Sequence, residues 1–120
     1  MLLQEERQMV VRYGLGMVQA GLTTGTGGNL SCRGQDRGLV AISPSGVPYD
    51  EVHPRDVVVV DLAGNIVDGH LKPSSEIGFH LILYNHRPNI GGIVHTHSVY
   101  ATTLACLNRE IPPVHYLIGS

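Results

Sequence analysis

The first twenty residues alternate apolar and polar positions with the period of an α-helix. Apolar side chains recur at helical spacing over residues 2–20, at Leu3, Val10, Val11, Leu15 and Val18. Charged side chains occupy positions between them, at Glu5, Glu6, Arg7 and Arg12. The pattern predicts an amphipathic helix. Gly21 predicts its end, because glycine readily adopts the conformation that follows a helix C-terminus.

Beyond this helix, short apolar runs separated by turn residues predict strands. Residues 30–33 and 39–43 are two such runs, joined by the polar turn 34–38. Residues 57–62 form a third run. The turn 63–65 then leads into Ile66-Val67, as in a hairpin.

The second half of the chain mixes helical and strand signals. Pro73-Ser74-Ser75 predicts the start of a helix that continues to about Asn85, and His86-Arg87-Pro88 predicts its end. Residues 93–97 predict a strand and residues 98–107 a further helix. Strands and helices do not alternate strictly, so the predicted fold class is α/β, with a mixed, mostly antiparallel sheet flanked by helices.

Size and charge narrow the classes of function. A chain of 120 residues forms one domain at most. Its net charge of −2 argues against nucleic acid as a partner, because binding a phosphate backbone requires a concentrated basic patch. No apolar stretch approaches the ~20 residues that span a bilayer, and residues 1–8 turn acidic too early for a signal peptide. Cys32 and Cys106 form no paired motif, which favours a reducing compartment and predicts the cytoplasm.

His95-Thr96-His97 is the sharpest chemical signal in the sequence. Residues two apart on a strand share one face, so both imidazoles can converge on a single metal ion. A bare motif of this kind is more often two polar residues on a sheet surface. Here the strand is otherwise apolar and rich in glycine, where unpaired histidines are costly. A carboxylate, Glu76, also begins the preceding helix, and this set leaves the open position that catalytic zinc sites require.

His80 competes for the role of a metal ligand. It shares a helix face with Glu76, four residues earlier. It can equally be a buried histidine whose ring nitrogens are satisfied by hydrogen bonds, and we prefer this second interpretation.

Three small polar segments suggest an anion site. Gly25-Thr26-Gly27-Gly28-Asn29 offers closely spaced backbone N–H groups, Ser74 and Ser75 stand at a helix N-terminus, and Ser45-Gly46 forms a turn. Each segment alone is more often a turn or a helix cap. Ser75 is adjacent to Glu76, however, so a metal on Glu76 would lie beside the anion. This suits a substrate with a phosphate at one end and a ketone or hydroxyl at the other.

These motifs resemble the class II aldolase/adducin family. Four motifs of this chain occur in the same order as in that family: Gly25-Thr26-Gly27-Gly28-Asn29-Leu30-Ser31, Pro44-Ser45-Gly46, Pro73-Ser74-Ser75-Glu76 and His95-Thr96-His97-Ser98. Residues 107–116 look most like the fuculose-1-phosphate aldolase branch. The resemblance covers essentially the whole chain.

The resemblance implies a three-layer α/β fold, C4-symmetric homotetramers and active sites at subunit interfaces. It implies a zinc ion on Glu76, His95 and His97. It also implies a sugar-phosphate substrate, cleaved by reverse aldol reaction to dihydroxyacetone phosphate and an aldehyde. L-Fuculose 1-phosphate is the leading substrate.

The family's functional residues map onto this chain by position. Glu76 would transfer a proton as well as bind metal, and Tyr116 would reach a neighbouring subunit's site and act as the acid on the aldehyde oxygen. The phosphate would be held by the small polar residues Gly28, Asn29, Ser45, Gly46, Ser74 and Ser75.

The residue at position 76 bears on the branch of the family. Pentulose-phosphate 4-epimerases resemble this pattern with aspartate in place of Glu76, so the glutamate favours an aldolase, although residues 92–97 suit either.

The family's remaining histidine ligand lies downstream of Tyr116, and no histidine follows His115 here. Residues 1–120 are therefore expected to be a class II aldolase domain that lacks the family's C-terminal segment.

Several functions stay open at this point. The chain can be an aldolase, a pentulose-phosphate 4-epimerase, or a truncated domain that keeps the fold without catalysis, as in adducin head domains. Other lyases of the family, such as methylthioribulose-phosphate dehydratases, share the motifs. The identity of the aldehyde does not follow from the sequence.

Overall fold

The computed structural model of the chain describes residues 1–23, 26–97, 102–105 and 115–117, with side chains described as far as Thr96. The described residues form two α-helices, α1 (Gln4–Gln19) and α2 (Ile77–His86), and a 3-10 turn, Pro54–Asp56. The strands are β1 (Asn29–Arg33), β2 (Leu39–Ile42), β3 (Val58–Asp61), β4 (Ile66–Asp68), β5 (Gly92–His97), β6 (Thr102–Ala105) and β7 (His115–Leu117). None of the helices in these ranges is long and apolar enough to cross a membrane.

The predicted elements before residue 98 are confirmed, with bounds shifted by a few residues. Gly21 follows α1 in the left-handed conformation, with φ +73°. Its N–H donates to the Val18 carbonyl at 3.0 Å, which ends the helix as predicted.

The helix predicted over residues 98–107 is wrong where that segment is described, because Thr102–Ala105 is a strand. Its backbone pairs antiparallel with β5, from Thr102 opposite His97 to Ala105 opposite Val94. Two factors favour this outcome over a helix. The β-branched threonines at positions 102 and 103 favour extended backbone, and the pairing satisfies N–H and C=O groups along the edge of β5.

The described strands form one sheet in the order β4-β3-β2-β1-β5-β6-β7, and each pair of neighbours is antiparallel. The central pair, β1 and β5, places Asn29 opposite His95 and Ser31 opposite Ile93. This register brings the end of the glycine-rich segment beside the histidine motif, although the two are far apart in sequence.

The sheet lies between two helical layers, as the three-layer prediction requires. On one face, α1 packs Val10 and Met17 against Leu30 and Cys32 of β1. On the other face, Tyr84 of α2 packs with side chains of β2, β3 and β5, namely Val40, Ile42, Val58, Val60 and Ile93. The alternation of side chains along β1 therefore turns Leu30 and Cys32 towards α1 and leaves Ser31 facing α2.

Arg7 departs from the simple amphipathic pattern, because it is only 1% exposed. Its guanidinium donates to the carbonyls of Leu2 at 2.6 Å, Pro54 at 3.2 Å and Val57 at 3.0 Å. It also pairs with Asp68 at 2.6 Å. Arg7 thus ties α1 to the 3-10 turn and to β4, and a buried arginine is tolerated because these partners satisfy it.

Replacing Arg7 with alanine is expected to lower the free energy of unfolding by about 2–4 kcal/mol, since it removes the donor to one buried and two partly buried carbonyl groups and the partner of Asp68. Arg12, which is exposed on the same helix, is the matched control. Arg12→Ala should change the free energy of unfolding by less than ~0.5 kcal/mol. Chemical denaturation measures both, and equal effects of the two substitutions would contradict the structural role of Arg7.

Candidate active site

Three loops meet at one end of the sheet and enclose a cavity. Residues 26–28 precede β1, residues 44–46 follow β2, and residues 73–76 precede α2. The cavity has a volume of about 370 Å³. It is lined by Thr26, Gly27, Gly28, Asn29, Pro44, Ser45, Gly46, Ser74, Ser75 and Glu76. All the residues that the resemblance assigns to phosphate therefore lie at one cavity, together with Glu76.

Hydrogen bonds join these loops. The N–H of Ser74 donates to the Ser43 carbonyl at 2.9 Å, and the N–H of Ser45 donates to the Lys72 carbonyl at 2.9 Å. The hydroxyl of Ser43 also accepts a bond from the Leu30 N–H at 3.1 Å. Segments that are distant along the chain are thus held side by side at the end of β1.

The cavity suits an anion through dipoles rather than through basic side chains. Of the described residues that line it, Glu76 is the charged one, and none of them is a lysine or an arginine. Ser74 and Ser75 precede α2, where the helix dipole favours negative charge. A phosphate in this cavity would be bound by hydroxyls and backbone N–H groups, and a neighbouring cation would favour it further.

Gly28 sits where the glycine-rich loop touches β5. Its φ of +71° is in the left-handed region, and a Cβ built on it would lie 2.7 Å from the backbone oxygen of His95. The Tyr49 hydroxyl donates to the Gly28 carbonyl at 2.7 Å and holds the peptide in place. Burial raises the pKa of Tyr49 to about 12, so this hydroxyl keeps its proton.

Gly28→Ala should therefore be far more damaging than Gly46→Ala. Both glycines have positive φ, +71° and +74°, but a Cβ on Gly46 meets nothing within 4 Å. The shared backbone strain is about 1–2 kcal/mol. Overpacking against β5 should cost Gly28→Ala about 1–3 kcal/mol more. Denaturation midpoints of the two variants measure the difference, and similar midpoints would show that β1 and β5 separate easily at this point.

Glu76 and His95 meet beside the cavity. Glu76 immediately precedes α2, His95 lies on β5, and Oε1 of Glu76 is 3.4 Å from Nδ1 of His95. His95 is buried, with its ring centroid 5.5 Å from that of Phe79. Two ligands that each lie ~2.0–2.1 Å from a tetrahedral zinc ion are about 3.3 Å apart. The observed spacing fits ligands that share a metal ion, and a carboxylate with an imidazole is a donor set that zinc accepts.

Two further predicted site residues lie at the limit of the described structure. His97 is the last residue of β5, and Tyr116 pairs with Thr103 between β7 and β6. The side chains of both lie outside the described residues. Among the side chains that are described, no group of three or more histidine, cysteine, aspartate or glutamate residues could hold a metal. The structure thus brings together two of the three predicted metal ligands, Glu76 and His95.

His80 is a buried histidine with both ring nitrogens hydrogen-bonded, as we preferred from the sequence. It is 0% exposed. Its Nδ1 is 2.7 Å from the Ser31 hydroxyl, and its Nε2 bonds to Oδ1 of Asn29. Burial, and secondarily the nearby His95, lower its pKa to about 3. The ring is therefore neutral at physiological pH.

The structure adds Ser31 and Tyr84, to which the sequence interpretation gave no role, and a second contact for Asn29. Ser31 bonds to His80 and, at 2.7 Å, to the hydroxyl of Tyr84. Asn29 donates from Nδ2 to Oε1 of Glu76 at 2.6 Å. A signal for this was present in β1, where Asn29 and Ser31 alternate with the apolar Leu30 and Cys32. That pattern indicates a polar face on a strand that is entirely buried.

Comparison with known proteins places this geometry in context. The family model of the class II aldolase and adducin N-terminal domain matches residues 8–120. A 5-deoxy-D-ribulose 1-phosphate aldolase of Bacillus thuringiensis serovar kurstaki is 54% identical over 119 residues, which is 99% of this chain and 56% of that protein.

Solved structures show the same likeness. An L-fuculose 1-phosphate aldolase matches with a TM-score of 0.78 and 43% identity, over 83% of this chain and 47% of its own. The L-fuculose-1-phosphate aldolase of Thermus thermophilus matches with a TM-score of 0.61 and 31% identity, over 73% of this chain and 44% of its own. The chain therefore spans about half the length of the relatives that it matches. The motif order, the three-layer fold and the family model agree, and the chain belongs to the class II aldolase and adducin family.

Proposed function

We propose that this chain carries the phosphate-binding and much of the metal-binding part of an aldolase. The enzyme would cleave a ketose 1-phosphate to dihydroxyacetone phosphate and an aldehyde. The observation that carries the proposal is the cavity of about 370 Å³ in which the serine and glycine loops meet Glu76. That volume is within the ~300–1,000 Å³ range of small-molecule sites.

The residues that line the cavity suit both parts of such a substrate. Hydroxyl and N–H groups of Gly28, Ser45, Gly46, Ser74 and Ser75 would bind the phosphate. Glu76, which lines the same cavity and lies 3.4 Å from His95, would face the carbon atoms that react. The hydrogen bonds that join the loops favour a defined geometry at the reacting bond.

Proton transfer is the proposed task of Glu76. In the cleavage direction a hydroxyl loses its proton, the adjacent carbon–carbon bond breaks, and the electron pair stays on the phosphate-bearing fragment as an enediolate. The Glu76 carboxylate, held next to that carbon, can pass it a proton taken up from solvent and so release dihydroxyacetone phosphate. Tyr116 is the proposed partner at the aldehyde oxygen: as a phenolate it would take the hydroxyl proton in cleavage and pass it to solvent, and as a phenol it would donate a proton in condensation.

The proposed cofactor is zinc, held by Glu76, His95 and His97. When bound, it supplies Lewis-acid stabilisation of the negative charge that develops on the substrate oxygens. The 3.4 Å between the carboxylate and the imidazole supports this assignment. The remaining family ligand would come from beyond Tyr116.

The substrate class is inferred from what the named relatives have in common. Both L-fuculose 1-phosphate and 5-deoxy-D-ribulose 1-phosphate are ketoses with phosphate on the first carbon. Cleavage of either by a reverse aldol reaction yields dihydroxyacetone phosphate, and the two differ in the aldehyde that is released. L-Fuculose 1-phosphate remains our leading substrate. We further propose a cytoplasmic homotetramer with C4 symmetry, in which Tyr116 serves a neighbouring subunit.

A cleavage assay on the natural full-length protein tests the proposal. Both ketose 1-phosphates are offered, and dihydroxyacetone phosphate is measured by coupled reduction. We expect cleavage of at least one of them, loss of activity after chelation, and recovery with added zinc. The corresponding unphosphorylated ketose is the control and should be a much poorer substrate. Failure to cleave either sugar phosphate in the presence of zinc would contradict the proposal.

The epimerase alternative is tested in the same experiment. A pentulose 5-phosphate is added as a further substrate, and inversion at its fourth carbon is followed. Glu76 favours the aldolase, since the epimerases resemble this pattern with aspartate there. Epimerase activity without cleavage would reverse this assignment, and its appearance in a Glu76→Asp variant would support the discriminating role of this side chain.

A further inference from the structure

A continuous chain of hydrogen bonds runs from the interior of the fold to Glu76. It begins at the Tyr84 hydroxyl, passes through the Ser31 hydroxyl at 2.7 Å and reaches Nδ1 of His80 at 2.7 Å. From Nε2 of His80 it continues to Oδ1 of Asn29, and Nδ2 of Asn29 donates to Oε1 of Glu76 at 2.6 Å. Tyr84, Ser31 and His80 are all 0% exposed.

The donor and acceptor atoms of each group set the direction of every hydrogen bond between Tyr84 and Glu76. Nδ2 of Asn29 donates to Glu76, so the carbonyl oxygen of Asn29 is the atom that faces His80. That oxygen only accepts, so Nε2 of His80 carries the hydrogen. The imidazole is completely buried, which favours its neutral form with a single N–H, so Nδ1 accepts from the Ser31 hydroxyl. Ser31 has then used its hydrogen, and the Tyr84 hydroxyl donates to Ser31.

We propose that His80, set in its Nε2–H form by Ser31, is a positioning residue that orients Asn29 and thereby holds Glu76 beside His95. The assignment of a catalytic role to Glu76 rests on the proposed function. His80 does not line the cavity and Ser31 is completely buried, so neither would touch the substrate. Their effect would pass through the amide of Asn29.

The inference also narrows the role of Asn29. The side chain of Asn29 is committed to His80 through Oδ1 and to Glu76 through one N–H of Nδ2. One N–H of the amide then remains for a phosphate. Because Asn29 is only 3% exposed, we infer that its main task is to position Glu76 rather than to bind phosphate.

Two substitutions that each delete a hydroxyl distinguish a positioning role of His80 from a general structural role. Ser31→Ala removes the group that donates to Nδ1, so the Nε2–H form is held from the Asn29 side alone and the ring can also take the Nδ1–H form. Asn29 would then have to turn its oxygen towards the Glu76 carboxylate. Tyr84→Phe removes a hydroxyl at the far end and leaves Ser31 still able to donate to His80. Val10→Ala, in the core on the face of the sheet that packs against α1, is the control for lost stability.

The experiment is carried out on the full-length protein with zinc. Nitrogen-15 NMR of the histidine side chains reports the tautomer of His80, whose signal is identified by its loss in His80→Gln. Steady-state kinetics with a ketose 1-phosphate gives kcat and KM. We expect the Nε2–H form in the natural protein. In Ser31→Ala we expect a kcat about 10- to 100-fold lower, with KM within ~2-fold, since groups behind metal ligands typically contribute this much.

Tyr84→Phe should keep the Nε2–H form and lower kcat by less than ~3-fold. Val10→Ala should reduce thermal stability and leave the tautomer and kcat unchanged. The Nδ1–H form in the natural protein would overturn the proposal, as would equal losses of kcat in Ser31→Ala and Tyr84→Phe, or a rise in KM alone. The Nε2–H form in a protein that cleaves no ketose 1-phosphate would overturn the proposed function and uphold the direction of the hydrogen bonds.

Discussion

Replacing His95 with alanine is expected to weaken metal binding by much more than ~100-fold. Loss of a group that merely supports a metal ligand typically costs ~10–100-fold in affinity, and removal of a ligand itself should cost more. The imidazole of His95 lies 3.4 Å from the Glu76 carboxylate at the proposed zinc site. The substitution therefore removes one of the two proposed ligands that the structure brings together. Calorimetric titration of the metal-free full-length protein with zinc gives the affinity.

Two further variants make the His95 result interpretable. His95→Gln keeps a side chain of similar size in this buried position and should also lose the metal. His86→Ala removes an exposed histidine whose Nδ1 bonds to a carbonyl of its own helix, at Ile82, and should bind zinc normally. Natural affinity in both His95 variants would show that the metal, if the protein binds one, is held elsewhere.

Glu76→Gln should remove most of the aldolase activity while leaving the fold intact. A group that transfers a proton in the transition state typically contributes ~10²–10⁴-fold to the rate, and an amide cannot perform this task. The amide oxygen of glutamine can still accept the bond from Nδ2 of Asn29, which lies 2.6 Å from Oε1 in the natural protein. We therefore expect kcat to fall by about 10²–10⁴-fold with little change in thermal stability.

The measurement must separate proton transfer from metal binding, because Glu76 is assigned to both. kcat is therefore measured at saturating zinc, and the bound metal is determined by elemental analysis of the same sample. Glu51→Gln, which neutralises an exposed carboxylate away from the cavity, serves as the control and should be fully active. Near-natural turnover in Glu76→Gln with a full complement of metal would assign the proton transfer to another group.

The family comparisons and the structure contribute different parts of this assignment. The family membership rests on the match over residues 8–120 and on relatives that are 54% and 43% identical to this chain over the residues matched. The structure contributes the juxtaposition of Glu76, His95 and the phosphate loops. Neither the natural substrate nor the metal follows from membership alone, so the assays above decide both.

Local elements were predictable because their signals are local. The helical spacing of Val10, Val11 and Val18 and the apolar run before Asp61 were sufficient to place α1 and β3, since side-chain periodicity follows directly from backbone geometry. The prediction of a helix over residues 98–107 was wrong at Thr102–Ala105, because pairing with β5 outweighed a weak local preference for helix. Long-range pairing of this kind leaves no periodic signal in the segment itself.

The sequence by itself determined which residues could do chemistry: the order of the glycine, serine and histidine motifs predicted the members of the candidate site before any contact was known. Only the tertiary structure decided how they are used. The antiparallel register of β1 and β5 sets Asn29 opposite His95, which brings segments separated by more than sixty positions into contact. The tertiary structure also decided that His80 is buried with both ring nitrogens hydrogen-bonded, and that Arg7 is buried on a helix whose other charged residues are exposed or partly exposed. These outcomes depend on which side chains meet across the sheet, and a sequence pattern reports the face of an element but not the partner that the face will contact.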